Sequence, residues 1–328
     1  MAASAIETRS IDRVPPSERH GRPWDQFTLW FGANAQITAI VDGALAVVFG
    51  ADAFWAIVGL LVGNVLGGTV MALHSAQGPK LGLPQMISSR AQFGVLGAVI
   101  PLVFVILMYV GFAATGTVLS GEAINLIIGT DNRAVGIVIF GAATAVLAIL
   151  GYRYIHALGR VATVLGLLGF AYLSVSIFTR FDVSHAIFVK PFELSTFLIA
   201  VSVAAGWQLT FGPYVADYSR YLPQETSKRR TFWYTFAGST IGAQCAMTIG
   251  ALAGGLSAAG LGGSFLKNQV GYMGDLGGGG LLALAIYVMI VTGKLTVNCL
   301  NAYGSFMCSV TISTAFTRRT KPASGNAG

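Results

Sequence analysis

Eight long apolar runs constrain this chain more than any other feature of its sequence. Each run is close to the ~20 apolar residues that a helix needs to cross the hydrocarbon core of a bilayer. In lipid, an α-helix satisfies its backbone polar groups within one segment. The sequence therefore predicts an all-α polytopic membrane protein with eight transmembrane helices. The predicted spans are 26–50, 53–75, 95–122, 134–152, 161–179, 194–216, 232–258 and 277–314.

The composition agrees with a membrane protein and argues against an enzyme. Of the 328 residues, 54% are hydrophobic and 10% are charged, whereas soluble domains carry about 25% charged residues. The cysteines Cys245, Cys299 and Cys308 lie in apolar runs without paired spacing, so neither a disulfide framework nor a zinc site is expected. The histidines show no metal or nucleophile spacing, and no GxxxxGK[ST] phosphate loop occurs in the sequence. No cofactor beyond a coupling ion is expected.

The positive charges alternate from loop to loop. If the N-terminus is cytoplasmic, 15 of the 20 Lys and Arg residues lie on that side, as the positive-inside rule predicts for an even number of crossings. We therefore expect a plasma-membrane protein with a transmembrane domain at 24–316 and cytoplasmic tails at 1–23 and 317–328. The N-terminal tail is polar and is expected to be solvated. Basic residues spread in this way do not form a nucleic-acid-binding patch.

Three ionisable residues, Asp42, Glu122 and Lys294, lie within the predicted spans. Each costs about 2.5–3.5 kcal/mol at bilayer depth on insertion scales, and such groups usually mark a functional pathway. For Glu122 the alternative is a position near water at the end of its helix. For Asp42 and Lys294 the alternatives are a structural ion pair and a role in transport.

Two spans are interrupted by glycine, proline and amide side chains. The first contains WFGANAQI at 30–37, and the sixth contains AGWQLTFGP at 205–213. We expect the first to break around Asn34 and Gln36, and the sixth at Gly206 and at Gly212–Pro213. Broken spans at matching places in two halves of a chain point to the binding site of a transporter. In the sixth span, Trp207 could stack on a planar ligand, and Gln208 and Thr210 could supply hydrogen bonds. For any single amide, a hydrogen bond between helices is the alternative.

Four segments resemble a known family. They are RPWDQFTLWFGANAQI (22–37), QGPKLGLPQMISSRAQFG (77–94), GWQLTFGPYVADYSRYLP (206–223) and GKLTVNCLNAYGSF (293–306). The chain resembles nucleobase–cation symporters of the cytosine/purine permease type, which have the inverted-repeat fold of the bacterial leucine transporter. The resemblance implies sodium- or proton-coupled uptake of a planar heterocycle such as cytosine, adenine, guanine or hypoxanthine. Carriers of allantoin, hydantoins or vitamin-like rings share the fold and remain an alternative.

The resemblance also implies which residues form the site. The substrate contacts would be Gln36, Phe112, Gly206, Trp207 and Asn301, with the ring stacked between Trp207 and Phe112. The cation would bind the carbonyls of Gly32, Ala35 and Thr292 and the hydroxyl of Thr296. For Phe112, packing in the core is the alternative.

Two departures from the family qualify these expectations. Leu295 stands where a second hydroxyl is expected, and the neighbouring Lys294 could take the place of the cation. We hypothesise that coupling is to protons, or that Lys294 replaces sodium through a pair with Asp42 or another acid. Eight spans are also two fewer than the five-plus-five repeat of this fold, so the second repeat is expected to be incomplete and the chain truncated. A truncated chain could be a non-transporting membrane protein, and otherwise we expect a monomeric transporter.

Overall fold

The computed structural model describes residues 11–150 and 152–317, which form thirteen α-helices and two short 3-10 helices, Pro16–Glu18 and Val183–His185. No strand occurs in these residues. The α-helices are α1 Pro23–Asn34, α2 Ile37–Val48, α3 Ala53–Ser75, α4 Gly78–Leu81, α5 Gln85–Gly97, α6 Val99–Ile128, α7 Arg133–Leu150, α8 Tyr152–Arg180, α9 Leu194–Phe211, α10 Ala216–Ser219, α11 Lys228–Ala258, α12 Gln269–Leu276 and α13 Gly280–Phe316. The predicted all-α architecture is confirmed.

Six helical segments of the described chain are long and apolar enough to cross a bilayer. They are Ala53–Leu81, Val99–Ile128, Val161–Arg180, Leu194–Ser219, Lys228–Ala258 and Gly280–Phe316. The pair α1 and α2, bent by 60° at its junction, is a seventh if it counts as one broken span. Helix α7 is apolar but shorter. Each of the eight predicted runs therefore contains a helix, while eight crossings stay a prediction.

The helices pack in two groups. In the first group, α3 packs against α9, and α11 packs against α1, α2 and α3. In the second group, α13 packs against α6, α7 and α8. Glycines bring the backbones of the first group together, because a Cβ at Gly43 would overlap the backbone of Met247 and one at Gly63 that of Val201. Small residues allow this close approach in membrane helix bundles.

One predicted helix break is found where expected, and the other is found at only one of its two predicted positions. Helix α1 ends at Asn34 and α2 begins at Ile37, as the amides of the first span predicted. Helix α9, however, continues through Gly206 to Phe211, so the prediction of a break at Gly206 is wrong. A glycine inside a helix costs only ~1 kcal/mol and keeps its N–H, whereas proline removes the N–H and clashes with the preceding turn. The interruption therefore occurs at Gly212–Pro213.

Most residues of the described part of the N-terminal tail are exposed, but two of its side chains, Val14 and Arg19, are buried against the rest of the protein. Val14 is fully buried, and its N–H donates to the Gly82 carbonyl at 2.9 Å. The buried guanidinium of Arg19 donates to the carbonyls of Val14 and Pro79 at 3.0 and 2.5 Å. This segment thus joins the loop after α3 to the start of α1. The predicted C-terminal tail lies outside the described residues beyond Thr317.

A buried carboxylate, Asp52, organises the loop between α8 and α9. It caps α3 by accepting from the N–H of Phe54 at 2.8 Å. It also accepts from three consecutive N–H groups of that loop, those of Phe188, Val189 and Lys190, at 2.8–3.2 Å. Phe188 has a left-handed φ of 58°, which turns the loop so that these N–H groups converge on one carboxylate.

Candidate substrate and cation site

The break between α1 and α2 leaves two carbonyls without their helical partners. The N–H of Gln36 donates to the Asn34 carbonyl at 2.9 Å, whereas a continued helix would direct it to Gly32. In the same way, the N–H of Ala39 donates to the Gln36 carbonyl at 3.1 Å, and not to Ala35. The carbonyls of Gly32 and Ala35 therefore lose the amides that a continuous helix would supply.

A cavity of about 1140 Å³ runs beside this break. One end lies at the N-terminal segment, next to His20, Asp25 and Tyr221. Its walls come from α1, α8 and α13, and they include Gly32, Ala35, Gln36, Gly166, Phe170, Gly293 and Thr296. The structure thus brings three of the four predicted cation ligands and one predicted substrate contact, Gln36, to the same cavity.

The predicted cation ligands are neutral carbonyl and hydroxyl oxygens. They suit a small monovalent ion better than a metal ion that requires acidic side chains. The released carbonyls of Gly32 and Ala35 lie at the negative end of the α1 dipole, where broken helices of transporters coordinate cations. Thr296 faces the same cavity from α13. Thr292 is less available, because its carbonyl accepts from the Thr296 hydroxyl at 3.3 Å. Within residues 11–150 and 152–317, no cluster of three or more His, Cys, Asp or Glu side chains is placed to hold a metal.

Lys294 lies on the α2 side of the break. Its side chain is 1% exposed, and Nζ donates to Gln36 Oε1 at 2.9 Å and to Thr38 Oγ1 at 3.2 Å. Asp42, one helical turn beyond Thr38, is half-buried and forms no ion pair with Nζ within 4.0 Å. The structural ion pair considered for Asp42 and Lys294 is therefore not formed. Glu122 is half-buried near the end of α6.

The two aromatic residues expected to enclose the substrate contact each other. The rings of Trp207 and Phe112 meet edge to face, with centroids 5.5 Å apart and planes at 85°. The indole is 3% exposed and also meets Phe211 edge to face at 5.7 Å. Rings in this geometry leave no slot for a third ring between them, so the predicted double stack is not formed in this conformation. Neither ring lines the cavity.

A network of buried polar side chains, most of them amides, holds the Trp207 indole through its Nε1. Trp207 Nε1 donates to Asn34 Oδ1 at 2.6 Å, and Asn34 Nδ2 donates to Ser239 Oγ at 3.0 Å. Ser239 Oγ donates to Gln208 Oε1 at 2.6 Å, and Gln208 Nε2 donates to Asn64 Oδ1 at 3.0 Å. These five residues belong to α1, α3, α9 and α11. We call them the amide network.

The amide network corrects two expectations. Gln208 is fully buried and engaged with other residues of the bundle, so its amide presents no free group to a ligand. Thr210 Oγ1 donates to the Trp207 carbonyl at 2.6 Å, so its hydroxyl could only accept from a ligand. Asn64 and Ser239 were not predicted as site residues. The only indication of these two residues in the sequence was that each is a polar residue inside an apolar run.

The remaining predicted contacts are separated from the cavity. Gly206 lies on the exposed side of α9, and no atom beyond its own stretch of helix lies within 4 Å of the position of a Cβ there. Asn301 is 5% exposed, and its Nδ2 has no hydrogen-bond partner. Neither residue lines the cavity, so the predicted role of Gly206 rests on the resemblance alone.

Comparisons with known proteins identify the family of the chain. The family described as permeases for cytosine/purines, uracil, thiamine and allantoin matches residues 13–323. The chain belongs to this family. Within the permease family, it is 36% identical over 306 residues to the putative purine-cytosine permease YxlA of Bacillus subtilis, covering 93% of this chain and 65% of YxlA. It is 29% identical over 318 residues to the purine-cytosine permease FCY22 of Saccharomyces cerevisiae, covering 94% of this chain and 56% of FCY22. The chain thus spans about two thirds or less of the length of these relatives.

The fold of the chain is also similar to that of a solved transporter. The inward-facing conformation of Mhp1 matches with a TM-score of 0.73 and 16% identity, covering 95% of this chain and 74% of Mhp1. A closed conformation of Mhp1, titled as a nucleobase-cation-symport-1 family transporter with bromovinylhydantoin bound, matches with a TM-score of 0.70 at 18% identity and the same coverage. At these identities the similarity shows the fold. The matching relatives are permeases and a transporter, in agreement with the expectation that the chain is not an enzyme.

Proposed function

We propose that this chain carries a purine or pyrimidine base across the plasma membrane by alternating access, coupled to a cation. The observation that carries the proposal is the broken α1–α2 junction, which places Gln36 and the segment Gly32–Ala35 along one cavity. Secondary transporters bind substrates and coupling ions at broken helices of this kind. Membership of the permease family supports a base such as cytosine, adenine, guanine or hypoxanthine as the substrate.

Two amide groups would select the heterocycle. Gln36 lies at the cavity wall, and Asn301 holds a buried Nδ2 that has no partner. An unpaired buried donor costs about 1–3 kcal/mol, which a ligand acceptor would recover. Such groups give selectivity, because a ligand with the wrong hydrogen-bond pattern leaves them unpaired. Stacking between Trp207 and Phe112 requires Phe112 to move away from the indole edge, since the two rings now touch.

Coupling would follow if cation and substrate favour the same arrangement of the two helix groups. The carbonyls of Gly32 and Ala35 and the hydroxyl of Thr296 are the proposed cation ligands, with Thr292 contributing through its carbonyl. This set of neutral oxygens is compatible with sodium, whereas Leu295 in place of a hydroxyl favours protons. Lys294 and Asp42 lie beside this region and are proposed to contribute to coupling.

A second candidate substrate is an allantoin-like, hydantoin-like or vitamin-like ring. The description of the family names thiamine and allantoin, and Mhp1 was solved with bromovinylhydantoin. Competition of labelled cytosine uptake by a panel of these heterocycles separates the candidates. The compound that competes at the lowest concentration identifies the substrate class.

We also propose that the protein is a monomer with both termini in the cytoplasm. The asymmetric distribution of Lys and Arg over the loops supports this orientation. Labelling of single cysteines placed in the loops on each side of the membrane tests it, and labelling of the N-terminal tail from outside would contradict it.

Uptake into proteoliposomes tests the proposed function. The chain is expected to accumulate labelled cytosine above equilibrium under an ion gradient, and replacing sodium with choline across a pH series identifies the ion. Gln36→Ala is expected to reduce uptake at least about ten-fold, the equivalent of ~1.4 kcal/mol. The matched control is Gln77→Ala, because Gln77 is exposed in the loop before α4. Binding of ligand without accumulation would instead support a non-transporting membrane protein.

A further inference from the structure

The buried ammonium of Lys294 has fewer hydrogen-bond acceptors and contacting counter-charges than a buried charge requires. Its Nζ donates to two neutral oxygens, Gln36 Oε1 and Thr38 Oγ1. An ammonium carries three donors and no acceptor, so one N–H remains available. Removing an ammonium from water costs several kcal/mol unless an opposite charge or further acceptors compensate it.

The described surroundings supply no counter-charge in contact. No carboxylate of residues 11–150 and 152–317 lies within 4.0 Å of Lys294 Nζ. Asp42, one turn beyond Thr38 on α2, acts on the lysine electrostatically from a greater distance. The ammonium also lies at the start of α2, since its partners are the N-cap residue Gln36 and Thr38 of the first turn. A helix N-terminus carries partial positive charge and attracts anions, so the lysine and the helix dipole both favour a negative group here.

This position is one side chain away from the cavity. Gln36, Ile37, Ile290 and Gly293 line the cavity, and they flank Lys294 along α2 and α13. Because a lysine can only donate, Gln36 must turn Oε1 toward Nζ, and its Nε2 donates to the Ala33 carbonyl at 3.0 Å. Gln36 is therefore engaged on both sides in this conformation. A ligand oxygen that replaced Gln36 Oε1 at Nζ would free the amide to bind the rest of the ring.

A second unpaired group lies next to the lysine. Asn298 is 2% exposed, and its Oδ1 has no hydrogen-bond partner. A Cβ at Gly116 would overlap both Lys294 Cε and Asn298 Oδ1, which shows that the two side chains lie together against this glycine of α6. The buried pair thus offers a cationic donor beside a neutral acceptor. A ring N–H next to an anionic oxygen would complement both groups.

We propose that Lys294, with the first turn of α2, is a subsite for an anionic oxygen, so that among heterocycles of the proposed class the protein prefers a negatively charged oxo-ring to its neutral counterpart. The proposal rests on the proposed transport function and narrows its substrate class. It makes Lys294 a residue that determines specificity, with Asn298 as the acceptor for the adjacent ring N–H.

Equilibrium binding to the full chain in detergent, measured with matched probes, tests the subsite. The probes are uracil, which is neutral at pH 7, its 6-carboxylate, which is an anion, and labelled cytosine as a reference. The wild-type protein is expected to bind the carboxylate at least ten-fold more tightly than uracil. Lys294→Met is expected to lower the affinity for the carboxylate at least ten-fold more than the affinity for uracil, which removes this preference. Lys267→Met is the matched control, because it removes one positive charge from an exposed site.

Each outcome has a distinct meaning. A wild-type protein that binds uracil as tightly as its carboxylate overturns the subsite without the need for any variant, so a misfolded Lys294→Met does not block the test. Equal losses for both probes in Lys294→Met would assign the lysine a structural role and also overturn the proposal. If none of the three probes binds, the proposed transport function fails together with the subsite, whereas binding of neutral bases alone leaves the function intact and refutes the subsite.

Discussion

Replacing Asn34 with alanine removes the centre of the amide network. Asn34 is fully buried and bonds to Trp207 Nε1 at 2.6 Å, to Ser239 Oγ at 3.0 Å and to the Trp30 carbonyl at 2.7 Å. Two of these bonds join different helices, and such bonds contribute about 0.6 kcal/mol each on average in membrane proteins. The substitution also leaves the buried indole N–H without an acceptor, at a cost of about 1–3 kcal/mol. We therefore expect Asn34→Ala to reduce the free energy of unfolding by ~2–4 kcal/mol.

A double-mutant cycle with Trp207→Phe isolates the indole bond. Phenylalanine keeps an aromatic ring but has no N–H, so Asn34→Ala should cost less in that background. The expected coupling energy is about 1–2 kcal/mol, within the range for residues in one hydrogen-bond network. The assay is reversible unfolding in mixed micelles of the wild type, both single variants and the double variant. Additivity within about 0.3–0.5 kcal/mol would show that the two residues are energetically independent and would refute the reasoning.

Three further predictions concern uptake, packing and the loop between α8 and α9. Trp207→Ala is expected to abolish base uptake without preventing membrane insertion, because it removes the proposed stacking surface; unchanged uptake would exclude stacking. Gly43→Leu is expected to destabilise the protein by roughly 1–3 kcal/mol in the same unfolding assay, since the side chain would overlap the α11 backbone at Met247. An unchanged free energy of unfolding would mean that α2 and α11 separate easily. Asp52→Ala is expected to lower the protection of the amides at 188–190 against hydrogen exchange about 30-fold, because hydrogen bonds to a carboxylate contribute ~2 kcal/mol. Unchanged protection would show that the loop is held by other contacts.

Local features of the sequence were sufficient to predict the helices and the first break. A run of apolar residues long enough to span a bilayer has few alternatives to a helix, because lipid offers no partner to an exposed backbone group. The amides of the first span marked the break that the structure places at residues 35 and 36. The cation ligands Gly32 and Ala35 followed from the family motif, and they line the cavity because they flank that break.

The partners of the polar side chains could not be predicted from the sequence. Lys294 and Gln36 are 258 residues apart, and Asn34 and Ser239 are 205 residues apart. Which donor meets which acceptor at such separations depends on how the helices cross and rotate, and periodicity carries no information about either. For this reason the sequence offered Asp42 as the partner of Lys294, whereas the structure gives it Gln36 and Thr38.

The position of these contacts explains how a ligand at the α1–α2 break could bias the whole protein. The amide network joins α1, α3, α9 and α11, so the first helix group is held together by its own buried bonds. Gln36 belongs to that group, while Lys294 and Thr296 belong to α13 of the second group. A bond from Lys294 to Gln36 therefore crosses between the groups, and a ligand that replaces it changes the free energy of their relative arrangement. Alternating access requires such a difference, because a ligand shifts an equilibrium only by its unequal affinity for the two states.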